Sequence, residues 1–316
     1  MYAIGIDIGG TKIAGALVDP HGGIIRESRV PTPAQDSNAI ADSVVALIQE
    51  LSEGVEVMAA GIAVAGFIDA DRANIIYSPN LSFRNEPFKA KLQARLDMPV
   101  FIENDANAAG WAEFRFGAGR DVKHMAMLTI GTGVGGAIVV DGQLLRGGFG
   151  IAGELGHVRL IPDGRLCGCG QKGCLEQYGS GTALLRAAKD LVASGDPKSA
   201  RLAELQIEAG ELTGVQVYQA ITERDSGAMG LLEELGTLLG QAAASLVAVL
   251  DPEVIVIGGG VSAAGNLLLD PIEKAFDQHL PASTYRPHLR FAIAEFVNDA
   301  GVVGAADLAR REVTKQ

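Results

Sequence analysis

Apolar side chains fill three short runs at the start of the chain, Tyr2–Ile8, Lys12–Asp19 and Ile24–Pro31. Each is rich in β-branched or other apolar residues, and glycine-containing turns separate them, which predicts three successive strands. The period then changes. Ile40, Val44, Leu47, Ile48 and Leu51 recur at helical spacing and predict a helix over Ser37–Leu51. The apolar stretch Val57–Ala65 predicts a buried strand, followed by a helix near Glu86–Leu96 and a strand at Val100–Glu103. Helices are predicted from about residue 105, so the opening order is β-β-β-α-β-α-β.

A second copy of this opening begins near residue 125. Met125–Ile130 reads as a strand, Gly131–Gly136 as a glycine-rich turn and Ala137–Val140 as another strand. Gly15-Ala16-Leu17-Val18-Asp19 parallels Gly136-Ala137-Ile138-Val139-Val140-Asp141: a turn glycine, an apolar strand, then aspartate. Two such openings suggest internal duplication. Helices are predicted at Gly181–Ala193 and Gly230–Leu250, a buried strand at Val254–Ile257, and a helix near Leu267–His279. A strand at Leu289–Ala294 and a helix at Val302–Arg311 complete the pattern. The stretch Ser194–Asp225 mixes polar residues with glycine and proline, and reads as the least regular part, a surface excursion.

Length and charge narrow the function classes. A chain of 316 residues is enough for two domains, each with its own core. Its formal charge of -12 argues against a nucleic-acid partner, which needs Lys and Arg on the phosphates. A small anionic cofactor stays open, because backbone N–H groups hold phosphate without basic side chains. Met1–Gly10 lacks a basic segment and a small-residue cleavage site, and no uninterrupted apolar run approaches the ~20 residues of a membrane span. A cytoplasmic protein without a membrane partner is expected, with its thiols reduced.

Glycine clusters stand at three strand ends. Asp7-Ile8-Gly9-Gly10-Thr11-Lys12 reads as a plain hairpin or as a phosphate loop, where glycine lets backbone donors come close and Thr11 and Lys12 add a hydroxyl and a charge. Asp7 is placed to hold Mg²⁺ through water. Gly131-Thr132-Gly133-Val134-Gly135-Gly136 matches the dinucleotide pattern literally, but that fingerprint needs a helix next, and a strand follows. The expected alternative is a second jaw of a phosphate clamp, through Thr132 and Gly133. Gly258-Gly259-Gly260, between a strand and a helix, suits close passage of a nucleotide base or ribose. No P-loop sequence is present.

All three cysteines, Cys167, Cys169 and Cys174, fall in one glycine-rich loop, with His157 ten positions before the first. A Cys₃His set of this spacing suits structural Zn²⁺, and four protein ligands leave no open position for catalysis. Phosphorylating an alcohol also needs a group to accept the hydroxyl proton. Asn104-Asp105 follows a strand where a helix begins, so it serves either as helix cap or as base. Glu154, His157 and Glu176 flank the cysteine loop, and His157 could ligate the metal through one ring nitrogen and donate to a sugar through the other.

Asp7–Lys12, Asn104-Asp105, Glu154-Leu155-Gly156-His157, Cys167–Glu176 and Gly301-Val302-Val303-Gly304-Ala305-Ala306 together resemble the repressor/open-reading-frame/kinase (ROK) family of sugar kinases. Within it, Leu166–Tyr178 and the Ala65-Gly66-Phe67 turn are most similar to the bacterial glucokinases. The resemblance implies an actin-like, ribonuclease-H-like duplicated α/β fold of two domains closing over the substrates. The small domain would take residues 1–118 and 301–316, the large domain 119–300. It implies ATP and Mg²⁺ as cofactors with a structural zinc on His157, Cys167, Cys169 and Cys174. Asp105 would be the catalytic base, and Gly66, Asn104, Glu154, His157 and Glu176 would bind glucose or a related hexose. Family members are usually homodimers or homotetramers.

The family also contains sugar-responsive repressors with an added N-terminal DNA-binding segment. Here the first phosphate-loop strand begins at Tyr2, which leaves no room for one. Kinases for N-acetylglucosamine, N-acetylmannosamine, fructose, mannose or allose share the same grip on the ring. Polyphosphate is a further possible donor, although the Gly258–Gly260 cluster favours a nucleoside.

Overall fold

The computed structural model describes residues 1–314. The chain opens with strands β1 (Tyr2–Ile8), β2 (Lys12–Val18) and β3 (Ile24–Pro31), helix α1 (Ser37–Leu51) and strand β4 (Val57–Val64). Three short strands follow, β5 (Phe67–Ile68), β6 (Ile75–Tyr77) and β7 (Arg84–Glu86), then α2 (Phe88–Gln93), β8 (Val100–Asn104) and α3 (Asp105–Phe116). Next come β9 (Met125–Ile130), β10 (Val134–Val140), β11 (Gln143–Leu144), α4 (Glu176–Gly179), α5 (Gly181–Ser194), α6 (Ala200–Ala209) and α7 (Gly214–Thr222). The remaining elements are α8 (Ser226–Leu250), β12 (Val254–Gly258), α9 (Asn266–His279), β13 (Arg290–Ile293) and α10 (Ala300–Thr314). One five-stranded sheet has the order β3-β2-β1-β4-β8 and another β11-β10-β9-β12-β13, the same plan twice.

The chain divides into two compact units. The first contains Met1–Lys123, Ala137–Gly153 and the stretch from Glu295 on. In its sheet β1, β2 and β3 form an antiparallel meander, while β1, β4 and β8 run parallel. Register places Asp7, Ala63 and Glu103 in one row across the three parallel strands. Alternation along β1 sorts its side chains between two cores. Ile4, Ile6 and Ile8 pack with Val44, Leu47 and Ile48 of α1, whereas Ala3 lies with Ala112 of α3 and Val303 and Ala306 of α10.

Helix α10 lies almost on the sheet backbone. A Cβ on Gly5 would run into the Val302 carbonyl, and one on Gly61 into the Ala305 carbonyl. Absence of side chains at these two positions is what lets the helix approach so closely. The remaining polar groups there are paired. Asp307, 2% exposed, accepts Trp111 Nε1 at 2.9 Å, Arg115 Nε at 3.2 Å and Arg310 Nη1 at 2.8 Å. Arg310 also donates to the carbonyls of Val18 and Asp19.

The second unit contains His124–Gly136 and Glu154–Ala294. Strands β9, β12 and β13 are parallel, with Val256 opposite both Met127 and Ala292. Helix α8 is long and apolar enough to cross a membrane by length and composition. Leu232, Leu235, Leu239, Ala243 and Val247 are buried, however, and α9, α5, α7 and α4 pack against it, which makes it the core helix of this unit.

Three expectations need correction. Residues 194–225 are not irregular: they form a 3₁₀ turn (Pro197–Ser199), α6 and α7, with Leu202, Leu205, Val217 and Ile221 buried. Long polar side chains on the outer faces and the glycines at 195 and 210 in the connections hid the helical period. The helix expected near Glu86–Leu96 is only Phe88–Gln93, because Pro87 at its start forces the preceding residues extended, and Arg84–Glu86 pair as β7. Helix α8 starts at Ser226, four residues before the expected Gly230, where Asp225 accepts the Ala228 N–H at 2.9 Å.

Candidate functional site

In the first unit the parallel strands deliver their chemistry at their carboxyl ends, where open α/β sheets bind ligands. Asp7 is the penultimate residue of β1, and the hairpin that follows the strand is closed by Gly9 N–H donating to the Lys12 carbonyl at 3.0 Å. Thr32 braces that hairpin, its Oγ1 donating to the Gly9 carbonyl at 2.7 Å. Gly10, Thr11 and Lys12 at the tip are exposed, so their donors are available to a ligand. Burial raises Asp7 to about 6, the Asp105 charge adds to it, and Lys12 opposes both. A carboxylate held this way favours a cation beside it, and an oxygen donor suits Mg²⁺.

Asn104 settles the cap question. Its Oδ1 accepts the Asn107 N–H at 3.0 Å as the N-cap of α3, and its Nδ2 donates to the Gly66 carbonyl at 3.1 Å. Asp105 is thereby free of capping duty at the first helical position. Burial raises its pKa, while the N–H groups of Ala106 and of Asp105 itself pull the other way. The expected base thus sits nearer an operating pH than an ordinary aspartate, as proton acceptance requires.

In the second unit His157 ends a 3₁₀ turn, Leu155–His157. The cysteine loop folds back as a small hairpin: Cys167 N–H donates to the Gln171 carbonyl at 2.8 Å and Gly173 N–H to the Arg165 carbonyl at 2.9 Å. His157, Cys167, Cys169 and Cys174 bring one ligand atom each within 4.8 Å of one another. Cys167 Sγ lies 3.7 Å from His157 Nδ1, and Cys169 Sγ 3.6 Å from Cys174 Sγ. Tetrahedral zinc with Zn–S bonds of about 2.3 Å spaces its sulfurs by roughly 3.8 Å, so the set fits that ion. Burial pushes the Cys174 thiol up to about 12 and raises Cys167 also. At Cys169 burial is outweighed by the Gln171 N–H and by thiol contacts, which hold it low. Bound zinc would deprotonate all three. His157 Nε2 points the other way, 4.0 Å from Glu154 Oε2.

Glu176, at the start of α4, reaches the Gly131–Gly136 turn. Its Oε2 accepts the Val134 N–H at 3.2 Å, and a Cβ on Gly133 would collide with that oxygen. Gly133 is therefore packed against Glu176, while Gly131 and Thr132 line a separate cavity of about 720 Å³. Thr182, Thr213, Tyr218, Val261 and Ala264 also line it, and its walls are mainly apolar. Of the expected Gly258–Gly260 trio only Gly260 faces this cavity. Gly258 is packed on Met127, and Gly259 on the Ile130 backbone.

The α7 contribution was missed in the sequence. Thr213 and Gln216 form a capping box, with Gln216 Oε1 accepting the Thr213 N–H at 3.0 Å. The T-x-x-Q spelling before an apolar run was a legible signal.

The ROK family model matches residues 3–312. The chain belongs to the ROK family. This ROK chain is 42% identical over 312 residues to a glucokinase from Streptomyces coelicolor, covering 97% of each. It is 35% identical over 312 residues to an N-acetylmannosamine kinase from Salmonella typhimurium, covering 98% of this chain and 99% of that one. The crystal structure of a ROK family glucokinase from Streptomyces griseus, in complex with glucose and AMPPNP, matches with a TM-score of 0.87 at 42% identity, covering 98% of this chain and 100% of that one. The ROK chain accordingly has the duplicated, actin-like α/β fold.

Proposed function

We propose that this chain is an ATP-dependent glucokinase, which moves the γ-phosphoryl group of ATP onto the 6-hydroxyl of glucose. The 42% identity to a glucokinase of matching length carries the reading, and the match to a structure holding glucose and AMPPNP supports it. Asp105 accepts the hydroxyl proton as the O6–Pγ bond forms and the bond from Pγ to the ADP oxygen breaks, giving glucose 6-phosphate and ADP. Gly66, Asn104, Glu154, His157 and Glu176 are the proposed sugar ligands. Asp7 would hold Mg²⁺, which would neutralise developing charge on the phosphates. The Gly9–Lys12 hairpin and Thr132 supply phosphate donors, and the apolar cavity receives the nucleoside, with Gly260 on its wall. Gly133, Gly258 and Gly259 act in this scheme by close packing. Zinc on the Cys₃His set is structural. Assembly as a homodimer or homotetramer belongs to the same proposal.

A coupled assay of ATP-dependent phosphorylation across glucose, mannose, fructose, N-acetylglucosamine and N-acetylmannosamine tests it. The highest kcat/KM should fall on glucose. A preference for N-acetylmannosamine would favour the second relative's chemistry and overturn the glucose assignment. Silence on every sugar, with ATP and with polyphosphate, would overturn the kinase reading.

A further inference from the structure

Beside Asn104 lies a charge pair, a buried Glu103 with a half-buried Arg146, that no role assigned so far uses. Glu103, 4% exposed, precedes Asn104 on β8. Its Oε2 accepts Arg146 Nε at 2.6 Å. Its Oε1 accepts the Asn104 N–H and Asn107 Nδ2, both at 3.1 Å. Arg146 comes from a distant part of the sequence, just after β11. It opens a loop closed by the Ala152 N–H donating to the Arg146 carbonyl at 3.0 Å, and Glu154 follows two residues later.

A pair of this kind is weak evidence for stability, since hydrophobic residues of similar volume often pack as well. Its own geometry points the same way. Arg146 Nη2 and Asn107 Oδ1 are both buried without a hydrogen-bond partner among the described residues. A network kept for stability would be expected to satisfy its members, because each orphaned polar atom carries a desolvation cost. What the pair does fix is direction. Glu103 pins the Asn104 backbone and the Asn107 side chain. Asn104 in turn caps α3 and holds the Gly66 carbonyl, and Asp105 is the first residue of that helix.

We infer that Glu103 and Arg146 are positioning residues for the transfer step: Arg146 locks the Glu103 carboxylate, and Glu103 orients the turn that carries Asn104 and Asp105. The same ion pair ties that turn to the loop leading into Glu154. This inference rests on the kinase reading. Acceptor and base must meet within a fraction of an ångström, and a 1 Å error costs on the order of 10²-fold in rate.

The test compares the wild type with Arg146→Met, Arg146→Lys and Glu103→Gln for kcat, glucose KM, ATP KM and Tm, at a temperature where each is folded. Asp307→Asn serves as a control for loss of stability in the same unit. Arg146→Met and Glu103→Gln should lose roughly 30- to 100-fold in kcat, with ATP KM changed less than about twofold. Arg146→Lys should recover about a third or more of the lost activation free energy, read as at least a threefold higher kcat than Arg146→Met. Asp307→Asn should lower Tm while keeping kcat within about threefold. If Arg146→Met does not fold, Glu103→Gln and Arg146→Lys decide the matter. An active wild type with kcat within threefold in the folded variants would overturn this inference alone. An inactive wild type would overturn the kinase reading and this inference with it.

Discussion

Glu176 and Val134 are joined by a 3.2 Å hydrogen bond from the Val134 N–H to Oε2, while the Cys167 thiol lies 3.6 Å from the other oxygen of the same carboxylate. One side chain therefore reaches both the cysteine loop and the glycine turn after β9. With zinc on the Cys₃His set as proposed, losing it should release Glu176 and weaken sugar binding. Cys174→Ser is expected to abolish stoichiometric zinc, measured by inductively coupled plasma mass spectrometry, and to raise the glucose Kd at least about tenfold by calorimetry. A zinc-free variant with unchanged glucose affinity would leave the loop with no part in the sugar site.

Asp105→Asn should lower kcat by about 10²- to 10⁴-fold, the usual contribution of a positioned base. Glucose affinity should change little, because the amide keeps the shape of the carboxylate. Burial holds the wild-type group above the ordinary aspartate value, so the acid limb of the rate profile should lie higher than an exposed carboxylate would set it. An Asn variant turning over at the wild-type rate would remove Asp105 as the base.

Asp7 gives a stability prediction with a defined sign. Its folded pKa of about 6 stands above the ordinary aspartate value of 3.8. The folded state thus binds this proton more tightly, and the stabilisation, full below pH 3.8, is lost as pH rises through about 6. In ligand-free protein Asp7→Asn should raise Tm at pH 7.5, by up to about 3 kcal/mol in stability, and raise it little at pH 4. Calorimetry at the two pH values distinguishes this from a pH-independent packing effect.

Asp307→Ala should destabilise the first unit by about 3–5 kcal/mol, since it strands Arg310 and the Trp111 indole without their acceptor. Trp111 is the single tryptophan of the chain, so its emission reports the change directly. A urea midpoint matching the wild type would show that the network is dispensable.

Tyr218→Ala should raise the KM for ATP about tenfold, by removing an aromatic wall of the apolar cavity, and leave the KM for glucose near its wild-type value. Equal loss for both substrates would place the nucleoside elsewhere.

Legibility followed locality. β1 and β4 could be read because their largely apolar runs are mostly buried, and the Cys₃His cluster because three cysteines share one loop. The two- and three-residue strands β5 to β7 are too short to set a period. In α6 and α7 the buried leucines, valine and isoleucine were present, but Glu204, Glu208, Gln216 and Gln219 between them gave the stretch the look of a solvated loop. Arg146 carries no local signal, because its partner Glu103 lies 43 positions away. Gly258 and Gly259 were legible as unusual, yet only packing shows that they accommodate Met127 and Ile130 and not a ligand.

The close seat of α10 on Gly5 and Gly61 has a consequence for synthesis. During translation the first sheet emerges early, but one of its faces waits for a cover made some 180 residues after α3. Nascent β1 and β4 therefore remain half-clothed while the whole second unit is being made. Ribosome-bound chains should be open to chaperones and proteases at Ala3, Gly5 and Gly61 until residues 300–314 leave the exit tunnel, so that the segment made first is among the last to become native.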